Sequence, residues 1–329
     1  MPFQGVVMHG PSVHNHVDIA KLGDELGFDD AWVTEVMGPD AVTVIAGAAC
    51  ATERIGFKTG IVSTYTRSPY LAAMTANSLQ DLSGGRFALG IGTSTPAIVT
   101  NWHGLPWSKP LGTTREFVDL FRRMSAGERV KHEGIYNVRG ATLRPATHPV
   151  PVYLAGLNPQ MLELAGEIAD GVILNFPTPS YAKRAVESIE RGIAKAGRQR
   201  SEVDIAAFLR TAVTDDFDPA AQTIRKELIT YFLAPVYQRV FNEDGYAEDN
   251  EAVNAAWSSG DRAGAVEKIS DRMVDDHAVI GDVSRCHAKA QGILDAGVDR
   301  TILFPIAPEG TDAHPTILDT VRKLAPAQV

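Results

Sequence analysis

Short apolar runs alternate with longer amphipathic stretches along most of the chain. The apolar runs are typical of buried strands, and the stretches between them have apolar residues every three or four positions, which is typical of helices. Eight runs predict strands, at 3–8, 29–35, 55–64, 86–92, 150–156, 171–176, 203–214 and 299–305. The amphipathic stretches predict helices at 14–27, 39–52, 68–83, 158–170, 179–197, 283–297 and 313–324.

Alternation of strand and helix is the pattern of βαβ units, which build a parallel sheet. Eight strands favour a closed (β/α)8 TIM barrel, because the doubly wound alternative normally has fewer strands and a topological switch point. We therefore predict an α/β fold with a single barrel domain over residues 1–329.

Two segments exceed the minimal barrel and are predicted to be insertions. The first, about 94–150, follows the fourth strand and contains a candidate hairpin, RVKHEGIYNV. The second, about 215–282, lies between the seventh and eighth strands, is rich in helical patterns and has acidic runs such as FNEDGYAEDNE. Because no long Ser/Gly/Pro-rich linker separates them from the rest, we do not expect a second domain.

Composition narrows the class of protein. The chain has 329 residues, 44% apolar and 22% charged, as ordinary globular proteins do. A net charge of −9 argues against nonspecific nucleic-acid binding. The two cysteines, Cys50 and Cys286, lie far apart in the sequence, so neither a disulfide framework nor a metal cluster is expected. We therefore expect a cytoplasmic location. The pattern shows neither a signal peptide nor a membrane span.

The segment SGGRFALGIGTS at 83–94 begins like a dinucleotide fingerprint at Gly90 and Gly92. The third glycine of G-x-G-x-x-G is missing, and no helix pattern follows directly, so a Rossmann loop is disfavoured. In a barrel, residues 90–94 end the fourth strand at the rim where active sites form. These glycines either let a ligand approach the backbone or only fit a tight corner.

The chain resembles the luciferase-like oxidoreductase superfamily, in particular its branch that uses the deazaflavin coenzyme F420. The resemblance covers most of residues 1–200 and is looser beyond about 215. It rests on five stretches in order: ELGFDDAWVTE, ATERIGFKTGIVSTYTRSPYLAA, SLQDLSGGRFALGIGTS, NWHGLPWSKPLGTTRE and VPVYLAGLNPQMLELAGEIADGVILN.

The resemblance implies a cofactor ring lying across the carboxyl-terminal rim of the barrel. It further implies a nonprolyl cis peptide at Gly60–Ile61 that backs the ring, although an ordinary trans strand end is the alternative. A phosphate of the cofactor would lie at the loop before the helix that starts near Pro159, where backbone N–H groups can bind an anion. The implied cofactor-binding residues are Gly60, Ile61, Val62, Gly92, Thr93, Ser94, Ala155, Gly156, Leu157 and Asn175.

Candidate catalytic residues lie at predicted strand ends or in the first insertion: Glu35, His9 and His103. A carboxylate at the barrel mouth could act as an acid or base, but Glu35 could equally be a surface or helix-terminal charge. His9 and His103 have structural alternatives as well. Several relatives carry a histidine where this chain has Val36, so a histidine-centred mechanism at that position does not transfer.

The expected function is hydride transfer between coenzyme F420 and a small organic substrate: an alcohol or ketone, an imine, or an activated C=C bond. The alternative within the same fold is an FMN-dependent monooxygenase that needs a separate flavin reductase. A non-catalytic flavin-binding protein is the third hypothesis. The resemblance also allows a homodimer, and neither a nucleic acid, a membrane nor a metal is expected as a partner.

Overall fold

A closed barrel of parallel strands lies at the centre of the computed structural model, which describes residues 2–326. The strands are β1 (Phe3–Met8), β2 (Asp30–Val33), β3 (Gly56–Thr59), β4 (Val62–Ser63), β5 (Phe87–Gly92), β6 (Val130–His132), β7 (Val138–Ala141), β8 (Val152–Ala155), β9 (Gly171–Asn175), β10 (Asp204–Val213), β11 (Ala278–Gly281) and β12 (Arg300–Pro305).

Helices surround the barrel and build the segment before β11. They are α1 (Val13–Leu26), α2 (Ala41–Cys50), α3 (Pro69–Ser83), α4 (Pro110–Ser125), α5 (Pro159–Ile168), α6 (Pro179–Lys195), α7 (Phe217–Phe232), α8 (Pro235–Glu243), α9 (Ala247–Ser258), α10 (Arg262–Glu267), α11 (Asp271–His277), α12 (Val283–Asp295) and α13 (Ala313–Lys323). Within residues 2–326, no helix is long and apolar enough to cross a membrane.

Parallel pairing closes the barrel in the order β1, β2, β3, β5, β8, β9, β10 and β12, and β12 returns to β1. The third barrel strand consists of two pieces, because β4 follows β3 and pairs with the end of β5. The TIM barrel expected from the sequence is therefore confirmed.

The break between β3 and β4 contains a cis peptide bond at Gly60–Ile61, as predicted. Just before it, the Thr59 hydroxyl accepts a hydrogen bond from the Gly90 N–H at 2.8 Å and donates one to the Gly90 carbonyl at 2.7 Å. The Thr59 hydroxyl thus replaces the backbone hydrogen bonds that β3 would otherwise make with Gly90 of β5. The strand thus remains attached to β5 while residues 60 and 61 leave the regular pairing.

Side-chain caps fix where several barrel helices begin. In each of four helices, the side chain of the N-cap residue accepts a hydrogen bond from a backbone N–H of the first turn. These caps are Asp40 for α2, Ser68 for α3, Asn158 for α5 and Thr178 for α6. These helices follow barrel strands, so each cap ends a loop on the carboxyl-terminal rim. The sequence places the caps at the starts of predicted helices, and the helix bounds agree with the prediction within a few residues.

The segment 94–150 contains a four-turn helix that the sequence analysis did not predict. Helix α4 packs between α3 and α5 and so occupies the barrel-helix position after β5. Its buried residues Phe117, Leu120, Phe121 and Met124 follow helical spacing, which the surrounding Trp, Pro and His residues obscured. The candidate hairpin is confirmed as β6 and β7, which pair antiparallel.

The segment 215–282 is helical as expected, but it ends in a short strand that was not predicted. Strand β11 pairs with residues 210–213 of β10, beyond the point where the pairing of β10 with β9 ends at Phe208. Helix α7, which opens the segment, carries Glu227 and Tyr231 to the end of the barrel, where they meet Arg210 and Phe176. The segment therefore contributes to the barrel mouth.

Candidate active site

A buried arginine organises one side of the carboxyl-terminal rim. Only 3% of the Arg210 side chain is exposed, and its guanidinium lies between the rings of Phe176 and Phe304, 3.9 and 4.2 Å from their centroids. Glu227 accepts hydrogen bonds from its Nε at 3.0 Å and its Nη2 at 2.8 Å. Burial by itself disfavours the charge, but the Glu227 carboxylate holds the pKa of Arg210 above its ordinary value.

The residues after β9 complete the surroundings of Arg210. Phe176 has a φ of 51°, a left-handed conformation that is uncommon for an aromatic residue, and its ring lies against the guanidinium. Asn175 accepts a hydrogen bond from Arg210 through Oδ1 and donates one from Nδ2 to the Tyr237 hydroxyl at 2.8 Å. An unusual backbone conformation at a strand end, next to a buried charge, is typical of a functional site.

His9 follows β1 and lies next to Phe304, with 5.4 Å between the ring centroids. The residue is partly accessible to solvent. Desolvation by the surrounding protein lowers the pKa of His9, as do the charges of His16 and Arg210, while Glu227 acts in the opposite direction. The imidazole is therefore neutral near pH 7 and can accept a proton.

Glu35 is held by two donors at the rim. Its Oε1 accepts a hydrogen bond from the Ala41 N–H at 3.2 Å and from Arg67 Nη2 at 2.9 Å. Arg67 also contacts Asp40, the residue that caps α2. The helix-terminal role that the sequence left open is thus present, and Arg67 pairs with carboxylates. A catalytic role for Glu35 stays a prediction.

Three predicted cofactor segments meet at one point of the mouth. A Cβ atom on Gly92 would lie 3.1 Å from Ile61 Cγ1 and 3.4 Å from Ala155 Cβ. The ends of β5 and β8 and the residues before β4 therefore form one continuous surface. Ser94, two residues after Gly92, has a φ of 54°, a left-handed conformation that is uncommon for residues other than glycine.

The loop from β8 to α5 offers backbone donors. Tyr181 donates a hydrogen bond to the Leu157 carbonyl at 3.1 Å and lies 3.4 Å from the Gly156 carbonyl. Within residues 2–326, no backbone or side-chain acceptor receives the N–H of Gly156 or Leu157. Asn158 caps α5 directly after them. Such free N–H groups at a helix start are suited to an anion.

The remaining candidates lie in different surroundings. Asn175 is engaged with Arg210 and Tyr237. His103 is exposed in the loop after the helical turn Ile98–Trp102. In the same loop, Trp107 stacks with Tyr65 at 6.0 Å and donates to the Thr93 carbonyl at 3.3 Å. Trp107 therefore holds the loop against the rim. We call Arg210, Glu227, Phe176 and Phe304 the Arg210 cluster; the structure brings His9 next to this cluster, and His103 lies elsewhere.

The sequence analysis missed the Arg210 cluster. Arg210 stands in the apolar run VDIAAFLRTAVT, and a charged residue in a buried strand must find a partner, so its position was a usable signal. The partner Glu227 lies in the segment that matched the family only loosely. No sequence motif links the two residues, because they come together only through the path that the chain takes from β10 to α7.

Comparison with known proteins supplies the family. The model of the luciferase-like monooxygenase family matches residues 2–300. The chain is 33% identical over 317 residues to a putative coenzyme F420-dependent oxidoreductase of Mycobacterium tuberculosis, with 88% of this chain and 90% of the relative covered. It is 31% identical over 297 residues to a 5,10-methylenetetrahydromethanopterin reductase of Archaeoglobus fulgidus, with 88% and 89% covered.

A solved structure agrees with these relatives. The coenzyme F420-dependent tetrahydromethanopterin reductase of Methanopyrus kandleri superposes with a TM-score of 0.83 at 25% identity. The superposition covers 97% of this chain and 96% of that one. The similarity therefore extends over the whole barrel and the segment before β11.

Proposed function

The chain belongs to the luciferase-like monooxygenase family, and from this membership we propose that it is a coenzyme F420-dependent oxidoreductase. It transfers a hydride between the deazaflavin and a small organic substrate. The relatives confirm the family, the enzyme class and the cofactor expected from the sequence. The FMN-dependent monooxygenase alternative finds no support in the names of these three relatives.

The observation that carries the proposal is the surface shared by Ile61, Gly92 and Ala155 at the mouth. Glycine at position 92 lets Ile61 and Ala155 approach each other closely, and both of these residues are partly exposed, so a flat ring can lie against them. We assign the ring to Gly60, Ile61, Val62, Gly92, Thr93 and Ser94. The free N–H groups of Gly156 and Leu157, beside Ala155, suit the phosphate of the cofactor.

The chain's own residues supply position and proton chemistry. When bound, coenzyme F420 supplies or accepts the hydride. The aromatic rings of Phe176 and Phe304 exclude water from the Arg210 side of the mouth. His9, neutral near pH 7, accepts the proton of an alcohol during oxidation or, once protonated, donates it during reduction. Glu35, held by Arg67, is the second candidate for this role, and Asn175 orients Arg210.

The substrate class remains that of the sequence analysis: an alcohol or ketone, an imine, or an activated C=C bond.

We also propose a cytoplasmic location and a homodimer. Four large apolar side chains are exposed on α3, namely Tyr70, Leu71, Met74 and Leu82, and they support a partner at this helix. Sedimentation velocity measures the mass in solution directly, and a pure monomer at micromolar concentration would contradict the dimer.

Turnover under two sets of conditions tests the proposed function. Reduced coenzyme F420 is incubated without oxygen with a panel of ketones, imines and activated alkenes, and oxidation of the cofactor is followed by absorbance. The parallel reaction contains FMN, a flavin reductase and oxygen. We expect substrate-dependent oxidation in the first reaction only. Oxygenated product in the second, with no turnover in the first, would contradict the proposal.

A further inference from the structure

One row of side chains on α7 faces the carboxyl-terminal rim. Thr223, Glu227 and Tyr231 are spaced four residues apart, so they lie on one face of the helix. Each contacts the end of a different barrel strand: Thr223 donates to the Ala307 carbonyl after β12 at 3.0 Å, Glu227 accepts from Arg210 of β10 at 2.8 Å, and the Tyr231 ring centroid lies 4.9 Å from that of Phe176 after β9. Helix α7 therefore lies along the rim, and Glu227 makes the middle contact.

Arg210 engages only one of the two carboxylate oxygens of Glu227. Both of its hydrogen bonds to this residue, at 3.0 and 2.8 Å, end at Oε1. Among residues 2–326, no hydrogen-bond donor contacts Oε2, and 30% of the Glu227 side chain is exposed against 3% of the Arg210 side chain. Because a carboxylate accepts hydrogen bonds at both oxygens, Oε2 remains open to a ligand.

The Arg210 side chain points into the barrel. Residues 208 and 210 lie on the same side of β10, because side chains alternate along a strand. Phe208 packs inside the barrel against Trp32 of β2, with 5.3 Å between the ring centroids. Glu227 therefore meets Arg210 at the open end of the barrel interior and not on the outer surface of the barrel.

The proposed ring surface lies on the opposite wall of the mouth. The strand formed by β3 and β4 is third and β10 is seventh in the order of the barrel, so the two face each other across a closed eight-stranded barrel. A Cβ atom on Gly60 would lie 2.5 Å from Cζ of Phe208, so these walls meet one layer below Arg210. A substrate that lies against a ring at Ile61 and Gly92 therefore faces Glu227.

The carboxylate is held in position before a substrate arrives. The Arg210 guanidinium lies between the rings of Phe176 and Phe304, 3.9 and 4.2 Å from their centroids. Asn175 accepts a hydrogen bond from its remaining nitrogen, Nη1. The group that binds Oε1 is thus fixed on every side, and a preorganised acceptor binds a ligand at a lower cost in entropy.

We propose that Glu227 is a specificity-determining residue, whose Oε2 accepts a hydrogen bond from an N–H or O–H group of the substrate while Arg210 holds Oε1. This role rests on the proposed function, because the substrate is the molecule that lies against the cofactor. Hydroxyl, amide and ammonium groups are recognised here, whereas a carboxylate or phosphate is repelled. An analogue that lacks the donor binds more weakly, because it leaves the Glu227 oxygen unpaired.

Matched probes test this preference without any turnover, so the result does not depend on the outcome of the F420 reaction. Three pairs differ in whether the donor is methylated: hydroxyacetone and methoxyacetone, benzamide and N,N-dimethylbenzamide, and benzylammonium and benzyltrimethylammonium. NMR titration of the full-length protein, first alone and then with oxidised coenzyme F420, gives the Kd of each probe. The imidazole C–H signals of His9, assigned with His9→Asn, report binding at the mouth.

The donor-bearing member of at least one pair is expected to bind about tenfold or more tightly than its methylated partner. Equal Kd values within all three pairs, or no binding of any donor-bearing probe, would overturn the proposal. This comparison is made within the parent protein and needs no variant.

Glu227→Gln separates recognition from support of the fold. Arg210 can keep its hydrogen bonds to the amide oxygen, so an NH2 group, which is a donor, takes the place of Oε2. The donor-bearing probe should lose its advantage, while the Kd of the methylated partner stays within about twofold. An unchanged preference, or an equal weakening of both members of a pair, would overturn the role in recognition.

The matched control is Glu309→Gln. Glu309 forms an exposed ion pair with Lys226, the residue before Glu227, at 2.8 Å, so the substitution removes the same charge near the same helix. The control should keep the preference for the donor-bearing probes. Loss of the preference in both variants would show a general effect of charge and would overturn the assignment to Glu227.

Discussion

Replacing Thr59 with valine removes one hydroxyl group where β3 leaves the barrel ladder. That hydroxyl is buried, with 1% of the residue exposed, and it satisfies both the N–H and the carbonyl of Gly90. Valine has the same shape but can neither donate nor accept. The substitution therefore leaves two backbone groups without partners inside the protein.

The magnitude follows from these two groups. An unsatisfied buried donor or acceptor costs about 1–3 kcal/mol. The added methyl group returns about 0.8 kcal/mol through apolar burial. With two such groups, we expect Thr59→Val to lower the free energy of unfolding by roughly 1–5 kcal/mol, against the about 5–15 kcal/mol typical of a folded domain.

Urea unfolding, followed by circular dichroism, measures this difference. Thr59→Ser is the control, because it keeps the hydroxyl and loses one methyl group, which costs about 0.8 kcal/mol. Hydrogen exchange at the Gly90 amide should accelerate in Thr59→Val and not in Thr59→Ser. A Thr59→Val protein within about 0.5 kcal/mol of the parent would refute the argument, since it would mean that the Gly90 groups find other partners at little expense.

Two further predictions concern ionisable residues. Glu35→Gln keeps an oxygen for the Ala41 N–H but loses the ion pair with Arg67, so we expect coenzyme F420 to remain bound and turnover to fall by about 10²-fold; unchanged turnover would remove Glu35 from the catalytic candidates. His277 is buried, and desolvation lowers its pKa below 6.5. The unfolded chain therefore binds the proton more readily than the folded one, and stability falls as the pH drops below 6.5. Urea midpoints between about pH 7.5 and 5 should fall less in His277→Phe than in the parent, and equal slopes would contradict this assignment.

Much of the fold was readable because local pattern determines it. Each barrel strand is a short apolar run, and Ser68, Asn158 and Thr178 cap helices that begin where the sequence predicts them. Helix α4 was missed because its amphipathic pattern lies among Trp, Pro and His residues. Strand β11 was missed because four residues, AVIG, carry too little pattern to separate a strand from a helix end.

The site was only partly predictable, for a different reason. Gly92, Ile61 and Ala155 were predicted as cofactor-binding residues with the help of the family resemblance, and the structure brings them together, although their role stays a prediction. Contact between Arg210 and Glu227 depends on how α7 folds back over the mouth, and sequence spacing does not encode that path. For Glu35, the sequence predicted the position at a strand end. It did not predict the hydrogen bonds to the Ala41 N–H and to Arg67, because these depend on how the neighbouring elements pack.

Binding of the cofactor tests the central claim most directly, because it needs no knowledge of the substrate. The purified cofactor-free protein is titrated with coenzyme F420 and, separately, with FMN, and binding is followed by fluorescence and checked by equilibrium dialysis. We predict saturable binding of coenzyme F420 and a much weaker or undetectable interaction with FMN. Tight binding of FMN with no binding of coenzyme F420 would contradict the account.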